Sequence, residues 1–435
     1  MALQAPEGTK DLLPDEALFW DHFKHTAFEI FGRYGYLPIE TPLFEQTELF
    51  VRGIGEATDV VSKEMFTAIS GNNLTTLLEG GKIKNKSRLS LRPEGTASVV
   101  RAVVQHDLVP QGAAPAKLVY AGPMFRAERP QKGRYRQFNQ VGIECLGAED
   151  PSVDAEAIIM LMRFYETIGI PVSATRLLLN SMGCEACRPA YRTAVKEYME
   201  AHSDQMCEEC LKRAEINPLR AFDCKNEACV EVMKGAPVIT DHLCEECKDH
   251  YQQVKAYLDG AGISYIEDTT LVRGLDYYTR TVFEVQVTEG MGSQSAIGGG
   301  GRYDKLAQEV GGRNTPGLGF ALGYERCVLA LQAAGVEFPK AAQCSLFVAS
   351  VDDSVRAQAF ALVQQCRDAG ITAEMDHQHR SLKSQFKLAD KLGAANVAIL
   401  GPEEIEQGMA KLRNMESHEE TMVALGEVAA TLARN

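Results

Sequence analysis

Two rhythms of hydrophobic and polar positions run along this chain. A period near 3.6 predicts helices over residues 15–32, 97–105 and about 323–334. A period near two, with β-branched residues, predicts strands over 117–121, 137–145 and 281–287. The segment 36–44 carries Pro38 and Pro42 and reads as extended, because proline and the residue before it disfavour helix. After 345 the two rhythms alternate. Strands are predicted at 345–350, 372–375 and 397–400, with helices up to 369 and over 381–393. That alternation predicts a small α/β domain with a mainly parallel sheet.

The pattern changes character near Pro171 and near Glu267, and a last boundary falls near Phe338-Pro-Lys340. The stretch between the first two holds eight of the twelve cysteines, several helical runs and no glycine-rich motif. It reads as an inserted domain. A length of 435 residues fits two or three cores. Hydrophobic content of 45% and charged content of 24% are those of a soluble globular protein. The first ten residues contain no apolar h-region, and apolar runs such as 157–162 are too short to cross a bilayer. No secretory signal and no membrane span are expected, so a cytoplasmic location is. Twelve cysteines in such a chain point to metal sites or buried thiols rather than structural disulfides.

The net charge of −14 disfavours general coating of nucleic acid. One loop runs the other way. Residues 126–136 hold Arg126, Arg129, Lys132, Arg134 and Arg136 against Glu128 alone, a net +4. Two strands flank this loop, so it reads as the tip of an antiparallel hairpin. Arginine forks match phosphate oxygens, and Phe138 offers a face on which a base can stack. A solvated charged loop is the plainer reading.

Other segments also carry chemistry. The run Leu271-Val-Arg-Gly-Leu-Asp-Tyr-Tyr-Thr-Arg-Thr-Val-Phe-Glu284 places two arginines, an aspartate and a tyrosine pair beside a core-like strand. Burying such groups is costly unless they hold something, be it an ion-pair network or a ligand. In Leu91-Arg-Pro-Glu-Gly-Thr96, either Thr96 caps the following helix or Glu94 and Thr96 accept hydrogen bonds from an ammonium group. Gly298–Gly301 is a flexible loop or a close approach of backbone to a neighbour. Gly317-Leu-Gly-Phe-Ala-Leu-Gly-Tyr-Glu-Arg326 is not the dinucleotide fingerprint, and no P-loop is present.

Together these segments resemble the motifs of the class II aminoacyl-tRNA synthetases. Residues 35–44 with Pro42 correspond to motif one, 125–144 to motif two and 317–326 to motif three. Residues 271–284 and 296–306 resemble the two histidine-specific segments of the histidyl-tRNA synthetases. The resemblance covers nearly the whole chain. It implies an α+β class II catalytic core, an antiparallel sheet flanked by helices, over 1–170 and 268–335. A helical cysteine-rich insertion would occupy 171–267, and an α/β anticodon-binding domain 341–435.

The resemblance also implies histidine–tRNA ligase activity: ATP and histidine form histidyl-adenylate, and the histidyl group passes to the 3′ end of tRNA(His). Mg²⁺ accompanies the ATP. Arg126, Arg273 and Gln140 are the implied catalytic set. Glu94, Thr96, Gln140, Glu144, Tyr277 and Tyr278 would bind histidine, with Glu144 and Tyr278 serving the two imidazole nitrogens. Arg126, Glu128, Arg134, Phe138, Arg273 and Arg326 would bind ATP. Arg380, Lys383, Lys387 and Lys391 would meet RNA phosphates, or form a solvated helix face. A homodimer is implied, because motif one forms the dimer interface in this family. The alternative is a catalytically inactive synthetase-like regulatory subunit of histidine biosynthesis. Such relatives lose parts of the histidine-specific segments and usually the last domain.

The cysteines depart from the family's defining motifs. Cys184/Cys187, Cys207/Cys210, Cys224/Cys229 and Cys244/Cys247 have metal-knuckle spacing and predict structural, not catalytic, Zn²⁺. Four pairs combine into two sites in three ways. The nested one, with Cys207/Cys210 and Cys224/Cys229 inside the other two pairs, is favoured, because the inner loop is short and the outer pairs bracket the insert. Reduced buried thiols are the alternative.

Overall fold

The computed structural model describes residues 3–56, 58–288, 291, 295–336 and 344–433. The chain divides into two compact units. The first holds 1–13 and 20–337, and the second holds 14–19 and 338–435. The expected boundary at 338–340 lies outside the described residues.

The first unit is built on an eight-stranded sheet. Its strands, across the sheet, are β1 (Leu37–Pro38), β5 (Ala116–Phe125), β6 (Gln137–Leu146), β11 (Gly317–Gly323), β10 (Ala296–Arg302), β9 (Thr279–Val287), β7 (Thr175–Ser181) and β8 (Ile266–Glu267). The six central strands pair antiparallel, and only the short edge strands β1 and β8 run parallel to their neighbours. A smaller sheet orders β2 (Phe44–Gln46), β4 (Leu89–Leu91) and β3 (Thr67–Ala68). The helix Pro14–Gly32 sends Phe31 towards Phe320 of β11, and Phe164 of the helix Pro151–Ile168 packs on Phe31. Phe31 meets Phe320 edge-on at 5.6 Å, and Phe23 meets Phe164 at 5.1 Å. Such edge contacts add to the burial of large rings.

Two expectations need correction. Strands β7 and β8 belong to the large sheet, so the segment that leaves it is 182–265, shorter at both ends than 171–267. The apolar run at Leu177–Leu179 is fully core-like and gives no periodic sign of which domain it joins. The second unit's sheet, in order β13 (Ala373–Met375), β12 (Leu346–Ser350), β14 (Asn396–Leu400), β15 (Met409–Asn414) and β16 (Glu420–Ala424), is mixed rather than mainly parallel. Strand β12 runs parallel to β13 and β14, whereas β15 and β16 return antiparallel. Lys411, Arg413, Glu420 and Thr421 make this edge hairpin polar, which hides it among loop-like sequence.

Among the described residues no helix is long and apolar enough to cross a membrane.

Candidate active site

Strand β6 carries the centre of the site. Alternation along a strand puts Phe138, Gln140, Gly142 and Glu144 on one face. Opposite Gln140, Gly142 and Glu144 stand Gly323, Ala321 and Gly319 of β11. A Cβ at Gly319 would overlap the Glu144 carboxyl, so the absence of a side chain there is what makes room for it. The Gly298–Gly301 run is neither loop nor linker but the body of β10. Its Gly300 packs so tightly on Gly319 and Phe320 that a Cβ would collide with backbone.

Glu144 is fully buried. Its Oε1 accepts hydrogen bonds from Thr96 Oγ1 at 2.7 Å and Tyr120 Oη at 3.3 Å, and its Oε2 accepts one from Tyr303 Oη. Burial pushes the carboxyl up to about 8, against the downward pull of the bonds from Tyr303 and Thr96. Glu94 is buried as well, and its two oxygens accept the backbone N–H groups of Thr96 and Ala97 at 2.7 and 2.9 Å. Glu94 thus caps the helix Thr96–Gln105. Thr96 cannot, because it is already the first helical residue, and its hydroxyl turns to Glu144 instead.

Three arginines from distant segments reach one cleft that Glu128, Arg134, Phe138, Gln140, Gly298 and Gly299 also line. Arg126 Nε donates to Pro93 O at 2.9 Å, and its guanidinium lies 5.5 Å from the Phe138 ring centre. Arg273 Nη1 donates to Glu284 Oε2 at 2.7 Å. Arg326 donates to Gly133 O at 3.3 Å and to Ala296 O at 2.9 Å. Glu128 pairs with Arg134 and stands 3.8 Å from Arg126. Burial pulls the Arg126 and Arg326 guanidiniums below their ordinary value. A site that collects cations at this cost is suited to an anion with several oxygens. Gln140 Oε1 is buried without a hydrogen-bond partner, so it is free to accept from a ligand donor.

Tyr277 and Tyr278 are buried with ring centres 4.6 Å apart, and Tyr277 meets Tyr303 at 5.6 Å. The structure thus brings the expected residues into two adjoining sets, the arginine cleft and a buried pocket around Glu144. Sequence reasoning missed Tyr120 and Tyr303, which hold Glu144. Their signal was a phenol in an otherwise apolar strand and another closing a glycine run, each of which needs a partner when buried.

Away from the cleft, Cys184, Cys187, Cys244 and Cys247 form one group, and Cys207, Cys210, Cys224 and Cys229 another. In each group the sulfurs lie within 4.8 Å of one another. All are free thiols. In the second unit, Lys383, Lys387 and Lys391 are exposed on one face of the helix Leu382–Lys391. Arg380 precedes that helix and is bound to Asp376 at 2.9 Å.

An antiparallel sheet with an arginine cleft between a hairpin and a glycine-lined strand that feeds a helix is the core of a class II aminoacyl-tRNA synthetase. Comparison with known proteins narrows the class. The family model described as histidyl-tRNA synthetase matches residues 8–327, and that of an anticodon binding domain matches 343–435. The chain is 47% identical over 430 residues to the histidine–tRNA ligase of Desulforamulus reducens, covering 98% of each chain. It superposes on apo histidyl-tRNA synthetase of S. aureus with a TM-score of 0.81 at 36% identity, covering 99% of this chain and 100% of that one. The chain belongs to the histidyl-tRNA synthetase family. A Bacillus halodurans protein titled an ATP phosphoribosyltransferase regulatory subunit/histidyl-tRNA synthetase shares the fold at 20% identity and a TM-score of 0.59, over 86% of this chain and 93% of that one.

Proposed function

We infer that this chain is a histidine–tRNA ligase, which joins histidine to ATP as histidyl-adenylate and then to the 3′ end of tRNA(His). Family membership and full-length identity to named ligases support the activity, and the regulatory-subunit alternative has less support. The observation that carries the residue assignment is the buried Glu144 carboxyl, set beside a cleft that three arginines share.

In this reading, the cleft takes ATP with its Mg²⁺. Phe138 stacks the adenine, Glu128 contacts it, and Arg134 and Arg326 lie along the triphosphate. Arg126 and Arg273 grip the α-phosphate from two sides. Negative charge builds there as the histidine carboxylate attacks and pyrophosphate leaves, and fixed cations stabilise it most. Glu94, Thr96 and the unpaired Gln140 receive the α-ammonium. Imidazole has two nitrogens, one a donor and one an acceptor when neutral, so a selective pocket must answer both. Glu144 and Tyr278 take those roles, and Tyr277 closes the pocket.

The second unit binds tRNA, with Lys383, Lys387 and Lys391 as its phosphate contacts. The two cysteine groups are structural Zn²⁺ sites. A cytoplasmic location and a homodimer complete the reading. The dimer is supported by Leu37, Leu43 and Phe44 of motif one, which are 67, 44 and 52% exposed.

The test is histidine-dependent ATP–pyrophosphate exchange by the purified protein, with the other amino acids as controls. Exchange with histidine alone is expected. A folded protein that binds histidine yet exchanges nothing would return the regulatory-subunit reading.

A further inference from the structure

The two cysteine groups each lie close in the chain to a segment that touches the loop carrying Arg273, Tyr277 and Tyr278, or the strand it leads into. The outer group follows strand β7 directly. Just before Cys184, Met182 N–H donates to Arg280 O at 2.6 Å, and Arg280 N–H donates to Gly183 O at 2.8 Å. Arg280 has φ +47°, a conformation that residues other than glycine seldom adopt, and this reciprocal pair holds it there. The segment beside the inner group meets the loop itself. Cys224 closes the turn Pro218–Asp223, and the residue before that turn, Asn217, donates from Nδ2 to Asp276 Oδ1 at 3.2 Å. Arg220 and Leu219 of the turn line a cleft with Val272, Arg273 and Asp276.

The sulfur geometry fits a metal. Tetrahedral zinc with Zn–S near 2.3 Å places its sulfurs about 3.8 Å apart. Cys184 Sγ lies 3.6 Å from Cys187 Sγ and 3.9 Å from Cys244 Sγ, and Cys207 Sγ lies 3.9 Å from Cys224 Sγ. Backbone N–H groups already point at the sulfurs, from Cys244 to Cys187 Sγ and from Cys207 to Cys229 Sγ, each at 3.1 Å. Such donors stabilise thiolates and orient them for a cation. The cysteines are part of the insert's own core: Cys187, Cys210, Cys229 and Cys247 are four of its buried members. Four soft thiolates and no oxygen ligand suit Zn²⁺, and each thiol gives up its proton on binding.

We propose that each cysteine group holds one Zn²⁺ and that the pair clamps the histidine-binding loop at two points, so that metal occupancy sets affinity for histidine. The clamp rests on the histidine-ligase reading above, and Asn217 and Arg220 act in it as positioning residues. Nothing in it requires the metal to touch substrate.

The first measurement is the metal content of full-length protein purified without chelator. About two zinc ions per chain are expected from two groups of four thiols. Well under one zinc, or iron in its place, would overturn the proposal. Zinc is then stripped with a chelator, and amide hydrogen exchange is compared with the untreated protein. Faster exchange confined to the insert and residues 271–280, with 116–146 unchanged, is expected. Unchanged protection at 271–280 would overturn the clamp. In the activity assay, KM for histidine should rise on the order of tenfold, as loss of supporting contacts around a site does. KM for ATP should move by less than about threefold by the same comparison.

Should stripping unfold the insert, Asn217→Ala separates the effects, because it leaves every cysteine in place. It should keep its zinc and still show a raised KM for histidine. A normal KM in that variant would refute the clamp. Metal count and hydrogen exchange do not depend on catalysis, so a protein that binds zinc but fails to activate histidine would sink the ligase reading alone.

Discussion

Glu144 and Cys210 are both buried, yet they are held in opposite ways. Glu144 takes its hydrogen bonds from Thr96, Tyr120 and Tyr303, on a helix, a strand and a segment far along the chain. Cys210 belongs to a group whose members lie between positions 207 and 229. The pocket around Glu144 is thus assembled by long-range strand pairing, and the inner part of the insert by cysteine pairs close in the chain. The difference shows where each half is vulnerable. The pocket fails when a distant strand shifts, whereas the insert fails when one of its clustered thiols, or the metal proposed for them, is lost.

The largest expected effect breaks the pocket's foundation. Asp154 is buried and pairs with Arg302 of β10 and, at 3.2 Å, with His250 on the insert's helix Glu245–Gly260. Removing one partner of a buried pair costs about 3–5 kcal/mol, so Asp154→Asn should lose that much in denaturant unfolding. Burial pushes this carboxyl up, but Arg302 and His250 pull harder and hold it down to about 2. A depressed carboxyl stabilises the fold above its unfolded value, near 3.9, and that contribution is lost as pH falls through 2. The variant should show none of this acid-limb decline. An acid limb identical to the wild type would show that the two halves do not share this joint.

Next comes the chemistry itself. Arg273→Ala should lower histidine-dependent exchange by about two to three orders of magnitude, as removal of a transition-state donor does. Far-UV circular dichroism should not change. Near-normal exchange would remove Arg273 from the reaction.

The smallest effect sharpens the contrast in electrostatics. Glu144→Gln should raise KM for histidine on the order of tenfold or more, because in the proposed pocket one imidazole nitrogen loses its partner. Its carboxyl is raised from 4.5 to about 8. Stability linked to it is therefore fully present below pH 4.5 and is lost as pH rises through 8. Glutamine cannot ionise, so the variant's stability should decline less over that window. Equal declines would place the titration elsewhere.

Legibility in the sequence follows the same divide. The cysteine pairs could be read from spacing, because the members of each pair are close in the chain, whereas the outer group joins two pairs that are far apart. Arg126, Arg273 and Arg326 stood out as cations in otherwise core-like segments. Tyr120 and Tyr303 did not, since a buried tyrosine looks like ordinary core until its hydroxyl partner is known. The ends of the insert were misplaced because β7, with Leu177–Leu179 buried, carries a solid apolar run that fits either domain. Strands β15 and β16 escaped because an edge hairpin is half polar.

The order of strands in the large sheet has a consequence in time. Strand β6 lies beside β11, the last strand of that sheet to be made, with β10 and β9 beyond it. A chain emerging from the ribosome therefore leaves one hydrogen-bonding edge of β6 unpaired until residue 323 is free to pair. By then the insert is complete, its inner cysteines first and its outer ones after, the latter spanning 60 residues from Cys184 to Cys244. The insert is finished while the sheet still waits for its middle, and it stands at the growing edge against which β9 and β10 are laid.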